Sequence, residues 1–144
     1  MSRSQSITFW IDASAEPQFE LLMAVLRKSH ASFVRDAHIH VYSDSDDGRD
    51  YVSKPCREED AFDTVAKLFA SGAIAAVAAE VTCGGRRMIL NFDPSYDGQI
   101  VITILGKYVA LLDGMIDFNW YYSCWKENLK DLVTITGIEF SVHV

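Results

Sequence analysis

Cysteine is scarce in this chain. Its 144 residues include only Cys56, Cys83 and Cys124, and no CxxC pair occurs. Disulfide scaffolds and structural zinc sites need paired or closely spaced cysteines. The odd number and the wide spacing therefore argue against both, and they favour reduced thiols.

Basic residues are also few. Thirteen Lys and Arg residues stand against twenty Asp and Glu, which gives a net charge of −7 and a pI near 4.9. Nucleic-acid binding needs clustered Lys and Arg to neutralise phosphates. The only adjacent basic pairs are Arg27-Lys28 and Arg86-Arg87. We therefore expect no nucleic-acid partner.

Long apolar runs are missing as well. No segment approaches the roughly 18–20 consecutive apolar residues that span a bilayer. The first residues, Met-Ser-Arg-Ser-Gln-Ser, lead into a strand-like run and lack the apolar core of a signal peptide. We therefore expect no membrane partner and predict a cytoplasmic location.

Sequence motifs for catalysis or cofactor binding are absent. There is no P-loop, dinucleotide fingerprint, GxSxG or HExxH. A calcium loop beginning at Asp44 would need a ligand at its fifth position and Gly at its sixth, but these fall on Gly48 and Arg49. The Gly84-Gly85 pair is typical of a hairpin turn. We therefore predict no enzyme activity and no cofactor.

The hydrophobic patterning predicts a single domain over residues 1–144. Runs of strands are segregated from helices, which indicates the α+β class. We predict an antiparallel sheet of about five to six strands, including a central meander, packed against about three helices. The predicted strands are 6–12, 37–42, 88–92, 99–105 and 138–144, the helices are 16–29, 55–72 and 119–132, segment 74–82 fits either, and 43–53 is a polar loop.

Acidic residues are concentrated in one stretch, positions 44–63. Eight acidic side chains there face only Arg49, Lys54 and Arg57, so the stretch carries −5 of the total −7. Such a patch favours a cationic partner. The later members also suit a helix N-terminus, where the helix dipole favours negative charge. The predicted partner-binding residues of this stretch are Asp44, Asp46, Asp47, Asp50, Glu58, Glu59, Asp60 and Asp63.

A second feature is the aromatic run at 118–125, which has five aromatic residues in eight positions. On a helix these cannot all face one core. Tyr121 and Trp125 share a face, so Trp120 or Tyr122 is expected to be more exposed and to act as an interface anchor. The alternative is a wide helix buried between the sheet and a loop.

Two histidines, His38 and His40, are the most metal-like pair. At positions i and i+2 of a strand they point the same way, as two ligands would. No further ligand follows at a diagnostic spacing, and outward polar residues on a half-exposed strand explain the pair. We therefore predict no metal site.

The profile of a small, acidic α+β chain without catalytic motifs is similar to that of bacterial immunity and antitoxin proteins. That similarity implies an inhibitory binding protein that blocks a basic toxin domain, such as a nuclease, with carboxylates. Two alternatives remain. One is a small-molecule-binding domain or small enzyme with a pocket lined by His38, His40 and aromatic residues. The other is a structural or assembly subunit.

Overall fold

The chain folds around one antiparallel sheet. The structure is a computed structural model and describes residues 4–12, 18–94, 98–105, 110–132 and 134–143. The described elements, in chain order, are β1 (Ser4–Ile11), α1 (Gln18–Lys28), β2 (Val34–Arg35), β3 (His38–Ser45), β4 (Gly48–Pro55), α2 (Ala61–Ala70), β5 (Ala76–Cys83), β6 (Arg86–Asp93), β7 (Gln99–Leu105), α3 (Phe118–Leu129) and β8 (Ile135–His143). This mixed content confirms the α+β class. The prediction of about five to six strands is wrong, because the described residues contain eight.

The strand order is β2-β3-β5-β6-β7-β1-β8. Strand β4 also pairs with β3, along the edge of β3 that faces away from β5. Val41 of β3 pairs with Val77 of β5 on one side and with Val52 of β4 on the other. The pairing of β3 with β4 runs from His38 opposite Pro55 to Ser45 opposite Gly48. The β3–β4 hairpin therefore forms one edge of the sheet, and β8 forms the other.

The core lies on one face of the sheet. Ile7, Ile102 and Phe92 occupy one cross-strand row, and all three are fully or almost fully buried. Trp125 of α3 packs edge-on against Phe92, with ring centroids 5.2 Å apart. The buried faces of α1, α2 and α3 belong to this same hydrophobic cluster. The described helices therefore all cover one face, and burial of their apolar stripes is the main stabilising term.

Two helices match their predicted ranges closely. α1 lies inside the predicted 16–29, and positions 16 and 17 of that range fall outside the described residues. α3 begins at Phe118, one residue early, because the Asp117 carboxylate accepts a hydrogen bond from the Trp120 backbone N–H at 3.0 Å. Such a cap satisfies an N–H group that the first helical turn leaves without a partner.

The second helix begins later than predicted. Pro55 is the last residue of β4 and does not open a helix. Proline fits the end of an edge strand because it has no N–H to donate to a ladder. A 3₁₀ turn at Glu58–Asp60 then leads into α2 at Ala61.

The predicted polar loop at 43–53 is wrong. Its residues complete β3 and form most of β4. Asp46 and Asp47 occupy the middle of the connecting turn, and Gly48 takes a φ of +121°. Strand β4 was missed because almost all of its residues are exposed, so it shows no alternation of apolar and polar side chains.

The central meander was predicted correctly. The ambiguous segment 74–82 is a strand, β5, and β7 has the predicted bounds. Gly84 and Gly85 join β5 to β6 with φ values of +56° and +78°. Two consecutive positive φ angles are what a tight type I′ hairpin turn requires, and glycine adopts them without strain.

Candidate functional site

The acidic stretch 44–63 is divided by the fold into two groups. Strand β4 separates them, and its eight residues at roughly 3.3 Å each span about 25 Å. One group surrounds the β3–β4 turn. The other follows the far end of β4. The sequence prediction treated the stretch as one continuous patch, whereas the fold divides it into two groups.

Arg49 fixes the group at the turn to the body of the sheet. Its Nε donates to the Asp44 carboxylate at 3.0 Å, and its Nη1 donates to Asp93 at 2.6 Å. Asp93 is 5% exposed and ends β6. A buried carboxylate needs such a partner because its desolvation is costly. The hairpin is thereby braced against a strand that is distant in sequence.

The charge of Arg49 is permanent. Partial burial lowers the pKa of its guanidinium, but the hydrogen bonds and charges of Asp93 and Asp44 outweigh this and raise the pKa above its ordinary value. The single positive charge of Arg49 is therefore shared between these two carboxylates. It leaves the other acidic residues of the turn uncompensated.

We call the remaining group the acidic tip: Asp46, Asp47 and Asp50. All three residues are exposed. Within the described part of the chain, no Lys, Arg or His nitrogen lies within 4.0 Å of their carboxylates. Three like charges at the end of one hairpin produce a local negative potential that can attract a cationic group.

An aromatic cluster lies beside the acidic tip on the same hairpin. Tyr42 and Tyr51 are cross-strand partners with ring centroids 5.5 Å apart. The ring of His40 stacks on Tyr51 at 5.8 Å. Tyr51 is 54% exposed, so this large side chain is available for contact. Sequence reasoning missed Tyr51 because the strand that carries it was not recognised.

Hydrogen bonds hold this cluster in a defined arrangement. His40 Nε2 lies 3.3 Å from the carbonyl oxygen of Arg35, which can only accept, so Nε2 carries a proton. Nδ1 of the same ring hydrogen-bonds to the Tyr51 hydroxyl. Burial, and then the nearby Tyr51, raise the pKa of the Tyr42 phenol. His40 is therefore occupied in orienting Tyr51.

In the second acidic group, three of the four carboxylates have a hydrogen-bond or ion-pair partner. Glu58 accepts a hydrogen bond from the Ser32 hydroxyl at 3.0 Å. Arg57 Nε lies 3.5 Å from the Glu59 carboxylate and 3.2 Å from that of Asp60. Asp63 lies in the first turn of α2, where the helix dipole favours it. We call Glu58, Glu59, Asp60 and Asp63 the second acidic group.

Trp120 and Tyr122 are both partly buried rather than exposed. Trp120 packs over the β5–β6 turn so closely that a Cβ atom at Gly84 would lie 3.0 Å from its ring. Lys126 lies 5.5 Å from the centre of the Tyr122 ring. Because β5 runs antiparallel to β3, Gly84 lies at the opposite end of the sheet from the acidic tip. These two aromatics therefore do not join the tip.

His38, the other predicted pocket residue, bonds through Nδ1 to the carbonyl of Asp36 at 2.7 Å. Within the described ranges, no three His, Cys, Asp or Glu side chains are grouped so as to hold a metal ion. An open groove of about 750 Å³ lies between α1 and α2, and neither histidine lines it.

The prediction that all cysteines are reduced thiols is wrong for Cys124, which is disulfide-bonded. Cys56, at the end of β4, has a free thiol. Sequence spacing could not reveal the bond, because two cysteines distant in sequence can be brought together by the fold.

Comparison with known proteins identifies no relative. No protein-family model, no curated protein and no solved structure matches the chain. Of the helices in the described ranges, none is long and apolar enough to cross a membrane.

Proposed function

We propose that this chain is a non-enzymatic inhibitory binding protein of the immunity or antitoxin type, which neutralises a cationic toxin domain such as a nuclease. One observation carries the proposal: three exposed carboxylates without a described cation partner lie at the end of a hairpin that is braced by Arg49 against buried Asp93. The acidic tip replaces the whole stretch 44–63 as the primary contact.

The bracing of the hairpin supports this role. Binding loses affinity when a loop must be ordered first, and a hairpin fixed by a charged hydrogen bond to β6 avoids much of that cost. Opposite charges across an interface also raise the association rate and discriminate against acidic partners. Toxin nucleases offer basic active sites, which are the surfaces that such a tip would cover.

Tyr51 supplies the other half of the proposed contact. Tyrosine is enriched at interface hot spots because it buries a large area with little loss of side-chain entropy. The ring is already oriented by His40 and Tyr42, and it lies on the hairpin whose turn carries Asp46 and Asp47. We assign Tyr51 as the anchor and the acidic tip as the steering element.

A cytoplasmic location stays a prediction from the sequence. The disulfide of Cys124 is more typical of an oxidising compartment, where such bonds persist.

The alternative of a small-molecule site at His38 and His40 also stays a prediction. Both rings are hydrogen-bonded to other groups of the chain.

The test uses two triple variants that each remove three negative charges. One carries Asp46→Asn, Asp47→Asn and Asp50→Asn in the acidic tip. The control carries Glu59→Gln, Asp60→Asn and Asp63→Asn in the second acidic group. Wild-type protein and the control should capture the same basic protein from source cells and inhibit its enzymatic activity, while the tip variant should do neither. Equal capture by both variants would refute the assignment of the tip.

A further inference from the structure

The loop between β7 and α3 displays large apolar side chains to solvent. Leu111 is 50% exposed, Leu112 is fully exposed and Met115 is 64% exposed. We call these three residues the apolar knob. Most exposed apolar residues of soluble domains are scattered singly, whereas a contiguous group commonly marks an interaction site.

The apolar knob is a defined structure and not a loose loop. The Leu111 N–H donates to the Met115 carbonyl at 2.8 Å, and an isolated bridge joins Ala110 to Ile116. The Asp113 carboxylate accepts from the Met115 N–H at 3.1 Å. Ile116 is buried and ties the loop to the core. The hydrogen-bonded backbone of this loop therefore holds the knob side chains in exposed positions.

A complementary concave surface exists on the same chain. The groove between α1 and α2 has a volume of about 750 Å³, within the range typical of ligand sites. Its floor and walls are apolar, and its rim is basic. The apolar lining residues are Phe19, Met23, Ala24, Ala66 and Ala70, and the basic ones are Arg27, Lys28 and Lys67. We call this surface the helix groove.

The charge of the helix groove is opposite to that of the knob. Lys28 is paired with Asp131 at 3.1 Å, but no described carboxylate lies within 4.0 Å of Arg27 or Lys67. With Lys28 paired to Asp131, Arg27 and Lys67 against Glu20 still leave this rim positive on a chain whose net charge is −7. Asp113, at the centre of the knob, is exposed and has no described cation within 4.0 Å.

We propose that the apolar knob of one molecule inserts into the helix groove of a second copy of this chain. The knob is convex, apolar and acidic, and the groove is concave, apolar and basic. A molecule does not fill its own groove with its knob, because Leu112 is fully exposed. The contact joins two different surfaces, so association is head-to-tail. Three knob side chains form a contact smaller than a standard interface, so we expect the association to be weak and concentration-dependent.

A membrane fits the knob less well than a second copy does. Loops that insert into lipid are commonly flanked by Lys or Arg, which are attracted to anionic headgroups. Asp113 and Asp117 are the charged residues of the described loop 110–117, and Lys107 and Lys126 lie further along the chain on either side. Negative charge beside the knob favours the basic rim of the groove over an anionic bilayer.

Sedimentation velocity over a concentration series tests the proposal with two single-surface variants. Leu112→Asp disables the knob, and Ala24→Glu disables the groove at an exposed helix position. Each variant alone should associate about tenfold or more weakly than wild type, a ratio readily resolved as a change in dissociation constant. An equimolar mixture should form dimers but nothing larger, because only one productive knob–groove pair remains.

A control variant, a folding check and a vesicle-binding assay accompany these two variants. Val142→Asp, at a half-exposed apolar position on the β8 edge, is the matched control and should associate like wild type. Thermal melting shows that each variant is folded. The proposal is overturned if wild type stays monomeric at every concentration, if the mixture fails to form dimers, or if Val142→Asp alone abolishes association. Binding of wild type, but not of Leu112→Asp, to phosphatidylcholine–phosphatidylserine vesicles would also overturn it and identify lipid as the occupant.

Discussion

The two acidic groups of the stretch 44–63 look alike in sequence and differ in the fold. At the second acidic group, Arg57 and Ser32 lie against the carboxylates, and the dipole of α2 favours the remaining charge. At the β3–β4 turn, Arg49 bonds to Asp44 and to buried Asp93. The acidic tip is therefore left without a described cation partner. A count of charges in sequence does not show which carboxylates are available to a partner.

The largest expected difference between the two groups is in stability. Arg49→Met leaves the buried Asp93 carboxylate without this partner, and we expect a loss of roughly 3 kcal/mol, the low end for breaking a buried pair, because Arg49 is 30% exposed. Arg57→Met affects only exposed pairs and should cost less than about 1 kcal/mol. Urea unfolding monitored by tryptophan fluorescence measures both. Equal midpoints for the two variants would mean that Arg49 does not brace the hairpin.

A change at the turn separates the shape of the acidic tip from its charge. Gly48→Ala forces alanine into a φ of +121°, which should cost about 1–3 kcal/mol and distort the tip without altering any carboxylate. Gly72→Ala, at φ +75° beyond α2, imposes similar strain away from the tip. Titration calorimetry with the captured basic partner should show weaker binding for the first variant alone. Similar binding by both would show that charge suffices and that the shape of the turn is unimportant.

The smallest expected effect concerns pH. The pKa of Tyr42 is raised by burial and by Tyr51, so the folded state holds this proton more tightly than the unfolded chain. The corresponding stability is complete below the ordinary tyrosine pKa of about 10 and is lost as pH rises through the folded value. Wild type should therefore lose more stability than Tyr42→Phe between pH 8 and about pH 11. Identical losses in urea unfolding at both pH values would contradict this coupling.

Sequence patterning predicted the elements that bury an apolar face. The β-branched run of β7, the glycine pair before β6 and the helical spacing in α1 and α3 all carry a local signal. Strand β2 is only two residues long, and β4 is exposed on the sheet edge, so neither shows a hydrophobic period.

The candidate site was only partly predictable for a related reason. The acidic residues were visible, but the contact of Arg49 with Asp93 joins residues 44 positions apart in sequence. Tyr51 lay in the strand that was not recognised, and the apolar knob lay in a segment without clear periodicity. Pairing between distant residues decides which side chains are compensated and which remain exposed, and no local pattern encodes it.

The central claim, that the acidic tip steers a basic partner, is tested most directly by association rates measured against salt concentration. Stopped-flow mixing of the captured basic partner with the two triple variants provides these rates. The tip variant should associate about tenfold more slowly at low salt, with a shallower salt dependence, because steering raises rates within the range of 10–1,000-fold. The second-group variant should stay close to wild type. Equal slowing of both variants would show that net charge, and not the braced turn, governs encounter.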